Sequence, residues 1–202
     1  MKIFPDQLSH EDGHKLQASI VLPRPIAFVS TVDENGTYNL APFSSFAGVC
    51  IEPAIVCFSV VWKRDGQRKD TLNNIEFSGD FVINVVNESM AEMMSKAATN
   101  YPSNVDEFEE VGLTPLESDM VKSPRVAESP INMECILRQI ITLGHKPGGS
   151  SLVIGEVVLV HVLDEVWSDG EIKVAKLNAV GRLGGNQYCR TADVFEIKRP
   201  DL

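Results

Sequence analysis

Five runs of strand-forming residues constrain the fold more than any other feature of this chain. Residues 26–32, 54–61, 81–86, 131–143 and 152–163 are apolar or alternating and rich in Val, Ile and Phe. Helical periodicity is confined to short segments between them. Strands of this composition must bury at least one face, so they are expected to share one sheet or barrel. With 202 residues, 44% of them hydrophobic, the chain can fill one core and is short for two. The expected class is mainly β (α+β), a single domain over 1–202 with short peripheral helices.

The first run leads into a hairpin. Residues 33–36 contain Asn35-Gly36, a strong turn signal, and 37–40 start the return strand. From Asn39 to Phe46 the sequence alternates neither as a strand nor as a helix. It is expected to leave the sheet as a loop, with Phe43 and Phe46 as anchors. Ala41 and Ser44 are small enough for backbone to approach a flat ligand, and Asn39 offers an amide to a ring carbonyl. Ser30 and Thr31 lie across the hairpin from them.

A charged loop, 62–69, precedes a short helix. Asp70 or Thr71 is expected to cap it, Leu72 and Ile75 to form its apolar face, and Gly79 to stop it. Lys69, Thr71 and the first-turn N–H groups make this helix start suitable for a phosphate. A second helix, capped by Asn87 or Ser89 and running to about 98, places Met90, Met93, Met94 and Ala97 at core spacing. Residues 1–22 read as a leading segment on the barrel, with His10 and His14 on a solvated loop or frayed helix. Residues 101–129 read as a helix-containing excursion whose acidic run, 106–110, is a solvated helix face or, alternatively, a lid near the site. His161, in mid-strand, reads as structural.

The formal net charge of −10 excludes the basic footprint of a nucleic-acid binder. The four cysteines show no C-x-x-C spacing and the four histidines no ligand cluster, so no metal site is expected. No apolar run reaches membrane-spanning length and no secretory signal opens the chain, so a soluble, cytoplasmic setting is expected. No GxGxxG follows a strand, so a separate Rossmann domain is not expected.

An ordered set of segments carries a family resemblance over almost the whole chain. These are PRPIAFVSTVDENGTYNLAPFSSF from Pro23, PAIVCFSV from Pro53, KDTLNNI from Lys69, GDFVINVV from Gly79, IGEVV from Ile154 and GRLGGNQY from Gly181. In this set the chain resembles the flavin reductase-like family. The resemblance implies an FMN-binding split β-barrel, a Greek-key antiparallel barrel acting as a homodimer. It implies an NAD(P)H:flavin oxidoreductase, in which NADH or NADPH reduces FMN for a free flavin or a partner oxygenase. The alternatives are a flavoredoxin-like electron carrier with tightly bound FMN and a flavin-binding module without turnover. Carried onto matching positions, it implies flavin contacts at Ser30, Thr31, Asn39, Leu40, Ala41, Ser44, Ser59, Lys69, Asp70 and Thr71. Arg182 and Tyr188 are further candidates for the cofactor or the dimer interface. His145 would lie on the nicotinamide side, but the Asp of the family's Gly-Asp-His element is missing before it, and the alternative is a solvent-exposed loop histidine.

Overall fold

The computed structural model of the chain describes residues 1–63, 65–144 and 148–200. His145 therefore lies outside the described residues. In chain order the strands are β1 (Ala27–Val32), β2 (Tyr38–Phe43), β3 (Phe46–Cys50), β4 (Ile55–Val61) and β5 (Asp80–Val85). The short β6 (Pro115–Leu116) and β7 (Arg125–Val126) are followed by the long β8 (Ile131–Leu143) and β9 (Ser150–Val162). Two small hairpins end the chain, β10 (Trp167–Ser168) with β11 (Glu171–Ile172) and β12 (Val180–Arg182) with β13 (Tyr188–Arg190). The helices are α1 (His10–Ile20), α2 (Asp70–Ser78), α3 (Ala91–Lys96), α4 (Glu107–Val111) and α5 (Val174–Leu177).

Seven strands form one antiparallel sheet in the order β2-β1-β5-β8-β9-β4-β3. The two outer strands, β2 and β3, are consecutive in sequence and joined only by Ser44 and Ser45. The sheet must therefore curl until its ends meet. At the closure the Ser59 N–H donates to the Ser45 carbonyl at 2.9 Å, and the Phe43 and Phe58 rings stand 5.2 Å apart. The expected loop from Asn39 to Phe46 is instead strand up to Phe43. Pro42 argues against a strand in sequence, because a proline cannot donate to a ladder. On an outer strand its missing N–H costs no bond.

β1 is buried on both faces, which explains its unbroken apolar run. Ala27 and Val29 point into the barrel with Phe58, Phe81 and Val153. Phe28 points the other way, into a second core with Leu40, Met90, Met94, Phe108 and Val126. The 101–129 excursion thus covers the outside of the β1–β2 ribbon, and the methionines are core as their spacing suggested. α2 plugs the barrel end with Leu72 and Ile75 fully buried, each contributing on the order of 1.5–3 kcal/mol. It stops at Gly79, whose φ of 75° is left-handed and suits glycine.

The leading segment takes the helical of its two expected forms, and His161 proves structural as expected. Residues 10–20 form α1, whose N-cap Ser9 accepts a bond from the Asp12 N–H. None of its residues is buried, so a helix here depends on its cap more than on core contact. Glu134, fully buried on β8, accepts bonds from the Asp119 and Met120 N–H groups and lies 2.6 Å from His161 Nε2. His161 thereby pins β9 to the excursion.

Candidate functional site

Period-2 alternation along β1 and β2 decides which side chains meet α2. Thr31 and Asn39 are register partners on one face. Asn39 Oδ1 accepts bonds from Thr71 Oγ1 at 2.7 Å and Thr31 Oγ1 at 3.4 Å. Asn74 Nδ2, from α2, donates to Thr31 Oγ1 at 3.1 Å. On the other side Asn39 Nδ2 donates to Glu107 Oε1 at 2.7 Å, and the Leu40 N–H donates to Glu107 Oε2 at 3.2 Å. All five side chains, Thr31, Asn39, Thr71, Asn74 and Glu107, are buried. The network ties β1, β2, α2 and α4 together at one end of the barrel.

Burial pushes the Glu107 carboxyl up to about 7, against the opposing N–H bonds from its own backbone, Leu40 and Asn39. Asp70 nearby adds to the rise. Of the two readings of 106–110, the solvated face fails at this residue, and neither reading singles it out. The readable signal was its spacing: Glu107 stands four residues before the buried Val111, on the same helical face. Glu109 and Glu110 are exposed, as expected of that run.

Above the network the start of α2 opens onto a narrow cleft of about 60 Å³. Asn39, Ala41 and Pro42 form one wall, Lys63 and 69–71 the second, and residues 97–101 the third. Lys69 occupies the N-cap position without a side-chain cap bond, so neither Asp70 nor Thr71 is the cap. Asp70 sits in the first turn with its carboxylate 3.4 Å from Lys63 Nζ. Thr71 turns its hydroxyl inward to Asn39. Lys69 is half-buried, its Nζ 5.9 Å from the Phe43 ring centroid. Burial and the neighbouring Lys63 lower its pKa, and Asp70 only partly opposes them.

The other predicted positions divide by face. Ser30 points away from α2. Its Oγ donates to the Pro124 carbonyl and accepts from Asn84 Nδ2 at 3.0 Å, so it anchors the excursion. Ser30 and Thr31 are successive strand residues and so face opposite ways, which separates Ser30 from the expected flavin contacts. Leu40 buries its side chain in the outer core and offers only backbone. Ser59 serves the barrel closure and lines neither this cleft nor the one beside it. Ser44 lines that adjoining cleft of about 420 Å³, with Arg24, Arg182 and Tyr188. Pro42 borders both clefts, so β2 runs from one to the other. Lys63, Asn74 and Arg24 join Glu107 as residues that sequence reasoning did not single out for the site.

The model of the flavin reductase like domain matches residues 19–175. The chain belongs to the flavin reductase-like family. Nitrilotriacetate monooxygenase component B from Bacillus cereus superposes with a TM-score of 0.93 at 36% identity, covering 98% of each chain. The 2-nitrobenzoate 2-nitroreductase NbaA from Pseudomonas fluorescens gives 0.89 at 32% identity, over 99% of this chain and 96% of its own. A protein from Shewanella frigidimarina, described as a flavin reductase with a split barrel domain, gives 0.84 at 25%, over 97% and 96%. The curled seven-stranded sheet is thus the split barrel of this family.

Proposed function

We propose that this chain is an FMN-binding oxidoreductase that takes electrons from NADH or NADPH and hands them to a free flavin or a partner oxygenase. One observation carries the reading. Lys69, half-buried and flanked by Lys63, stands at the N-terminus of α2 beside a cleft walled by β2. A desolvated ammonium next to a second cation is unfavourable until an anion joins it. The Asp70 and Thr71 N–H groups, without intrahelical partners, add oriented donors and the positive end of the helix dipole. This donor set fits a phosphate monoester. Ala41 and Pro42 lead from it to Ser44, and the small side chains on that path suit the flat ring of the same cofactor.

Bound FMN would supply the redox centre, accepting a hydride and releasing electrons. The chain's own residues hold and orient it. Lys63, Lys69 and Thr71 N–H take the phosphate end, and the Thr31–Asn39–Glu107 network keeps the β2 wall and α2 in fixed relation. An oxygenase partner is supported by the name of the Bacillus cereus neighbour, a monooxygenase component. A homodimer is supported by the exposed outer strand β3, with Val49 and Ile51 bare beside it. A reducing, cytoplasmic setting agrees with four free cysteines.

The test compares FMN with riboflavin, which lacks the phosphate. Lys69→Ala is expected to weaken FMN at least tenfold while riboflavin affinity stays within twofold of the parent. FMN held as tightly by the variant would remove the phosphate assignment.

A further inference from the structure

We infer that Asp119, Glu134 and His161 form a site for a divalent transition-metal ion of the zinc type, which clamps the 101–129 excursion to the β8–β9 ribbon. The inference goes beyond the redox reading and shares no residue with the flavin site proposed above. The three side chains come from the loop between β6 and β7, from β8 and from the end of β9. They lie 15 and 27 residues apart, so ligand spacing does not reveal them in the sequence. In the β8–β9 register Asn132 pairs with His161 and Glu134 with Leu159. Glu134 and His161 are therefore diagonal neighbours on one face of the ribbon. One candidate ligand atom from each of the three side chains lies within 4.8 Å of the other two. His161 Nε2 stands 2.6 Å from Glu134 Oε1 and 3.8 Å from Asp119 Oδ2.

Hydrogen bonding accounts for only one of the two carboxylates. Glu134 is fully buried, and its oxygens accept the Asp119 and Met120 N–H groups and face His161 Nε2. Burial opposes its charge, yet these bonds together hold its carboxyl below the usual range. One Nε2–H cannot also serve Asp119, whose oxygen is too distant for a hydrogen bond. No Lys or Arg pairs with either acid among the described residues. Arg125, on the shallow cleft beside His161, spends Nε and Nη2 on the Glu117 carbonyl. Two carboxylates thus converge on one imidazole, and even a charged ring leaves one negative charge in excess. A divalent cation with a neutral His161 balances the set.

The donors select the ion. One imidazole and two carboxylates suit zinc and its divalent neighbours, whereas calcium and magnesium prefer larger, all-oxygen shells. Bonds of about 2.0–2.2 Å place the ligand atoms of a tetrahedral ion about 3.3 Å apart. The ion takes the place of the Nε2 proton, and the His161–Glu134 contact opens from 2.6 Å toward that spacing. Asp119, exposed on its loop, closes in from 3.8 Å. The Asp119 and Met120 N–H groups hold the Glu134 carboxylate in place behind the ion. Water completes the fourth position.

The probe is Zn²⁺, titrated calorimetrically into the full chain after chelator treatment. The parent is expected to bind one ion, and Asp119→Asn and His161→Gln each to bind at least tenfold more weakly. Asp119→Asn alters an exposed side chain and keeps the backbone N–H bond to Glu134, so it removes a ligand without threatening the fold. Circular dichroism checks that both variants are folded. Zinc should raise the thermal midpoint of the parent and shift that of Asp119→Asn less. Cys50→Ser is expected to bind as the parent does, which separates this site from the exposed thiol. No binding by the parent, parent-like binding by either Asp119→Asn or His161→Gln, or loss of binding in Cys50→Ser would overturn the assignment.

Discussion

Glu107 Oε1 and Asn39 Nδ2 meet at 2.7 Å in the buried join between α4 and β2. The same Asn39 accepts from Thr71 at the start of α2, so one amide links the excursion to the proposed phosphate site. A buried carboxylate in this position has consequences for both stability and orientation.

The first concerns pH. The Glu107 carboxyl titrates near 7 in the folded chain and in the ordinary range, near 4.5, when unfolded. Between those values the folded state holds a proton that the unfolded state has released. Stability therefore falls as pH rises through the window, by at most about 1.4 kcal/mol per pH unit. Glu107→Gln should abolish this slope. It should cost about 1 kcal/mol at low pH, where one acceptor for Asn39 or Leu40 is lost. Urea denaturation at several pH values measures both, and equal slopes in parent and variant would refute the role.

Lys69 gives a binding prediction of the same sign, at higher pH. Its pKa is lowered by burial and by Lys63, so it loses its charge below the usual lysine range. FMN affinity should then decline as the solution becomes alkaline, earlier than an ordinary lysine would dictate. Riboflavin should show no such decline, and Lys69→Ala should flatten the FMN curve. Fluorescence titration across pH reads this directly.

Gly155 on β9 packs against the Phe81 ring. A Cβ placed there would lie 2.3 Å from Phe81 Cζ. Phe81 is fully buried and stacked edge-on to Phe58 at 5.4 Å, so it has little room to move. Gly155→Ala should destabilise the barrel by about 1–3 kcal/mol, as an overpacked core does. Chemical denaturation would show it, and an unchanged midpoint would contradict this packing.

Much of the fold was legible because local signals and burial agree. The 26–32 run became β1 (Ala27–Val32), Asn35-Gly36 made the turn, and Gly79 ended α2 in the left-handed region. Asn87 caps the turn before α3 through the Met90 N–H. What stayed illegible depends on tertiary position. Pro42 breaks a strand pattern unless one knows that β2 is an outer strand. Ser30 and Thr31 look alike in sequence, and only the barrel tells which face meets α2. Glu107 sits among four acidic residues in 106–110, and its burial comes from β2, far away in sequence. Lys69 was found at the sequence level, but Lys63 became relevant only when the loop brought it against Asp70.

The central claim is that this barrel holds FMN and reduces it with a nicotinamide nucleotide. The most direct measurement is anaerobic addition of NADH, and separately NADPH, to the FMN-loaded protein while the visible flavin absorbance is followed. The account predicts rapid bleaching with at least one nucleotide and continued turnover when free FMN is added. No bleaching with either, or bleaching only by a protein electron donor, would contradict it.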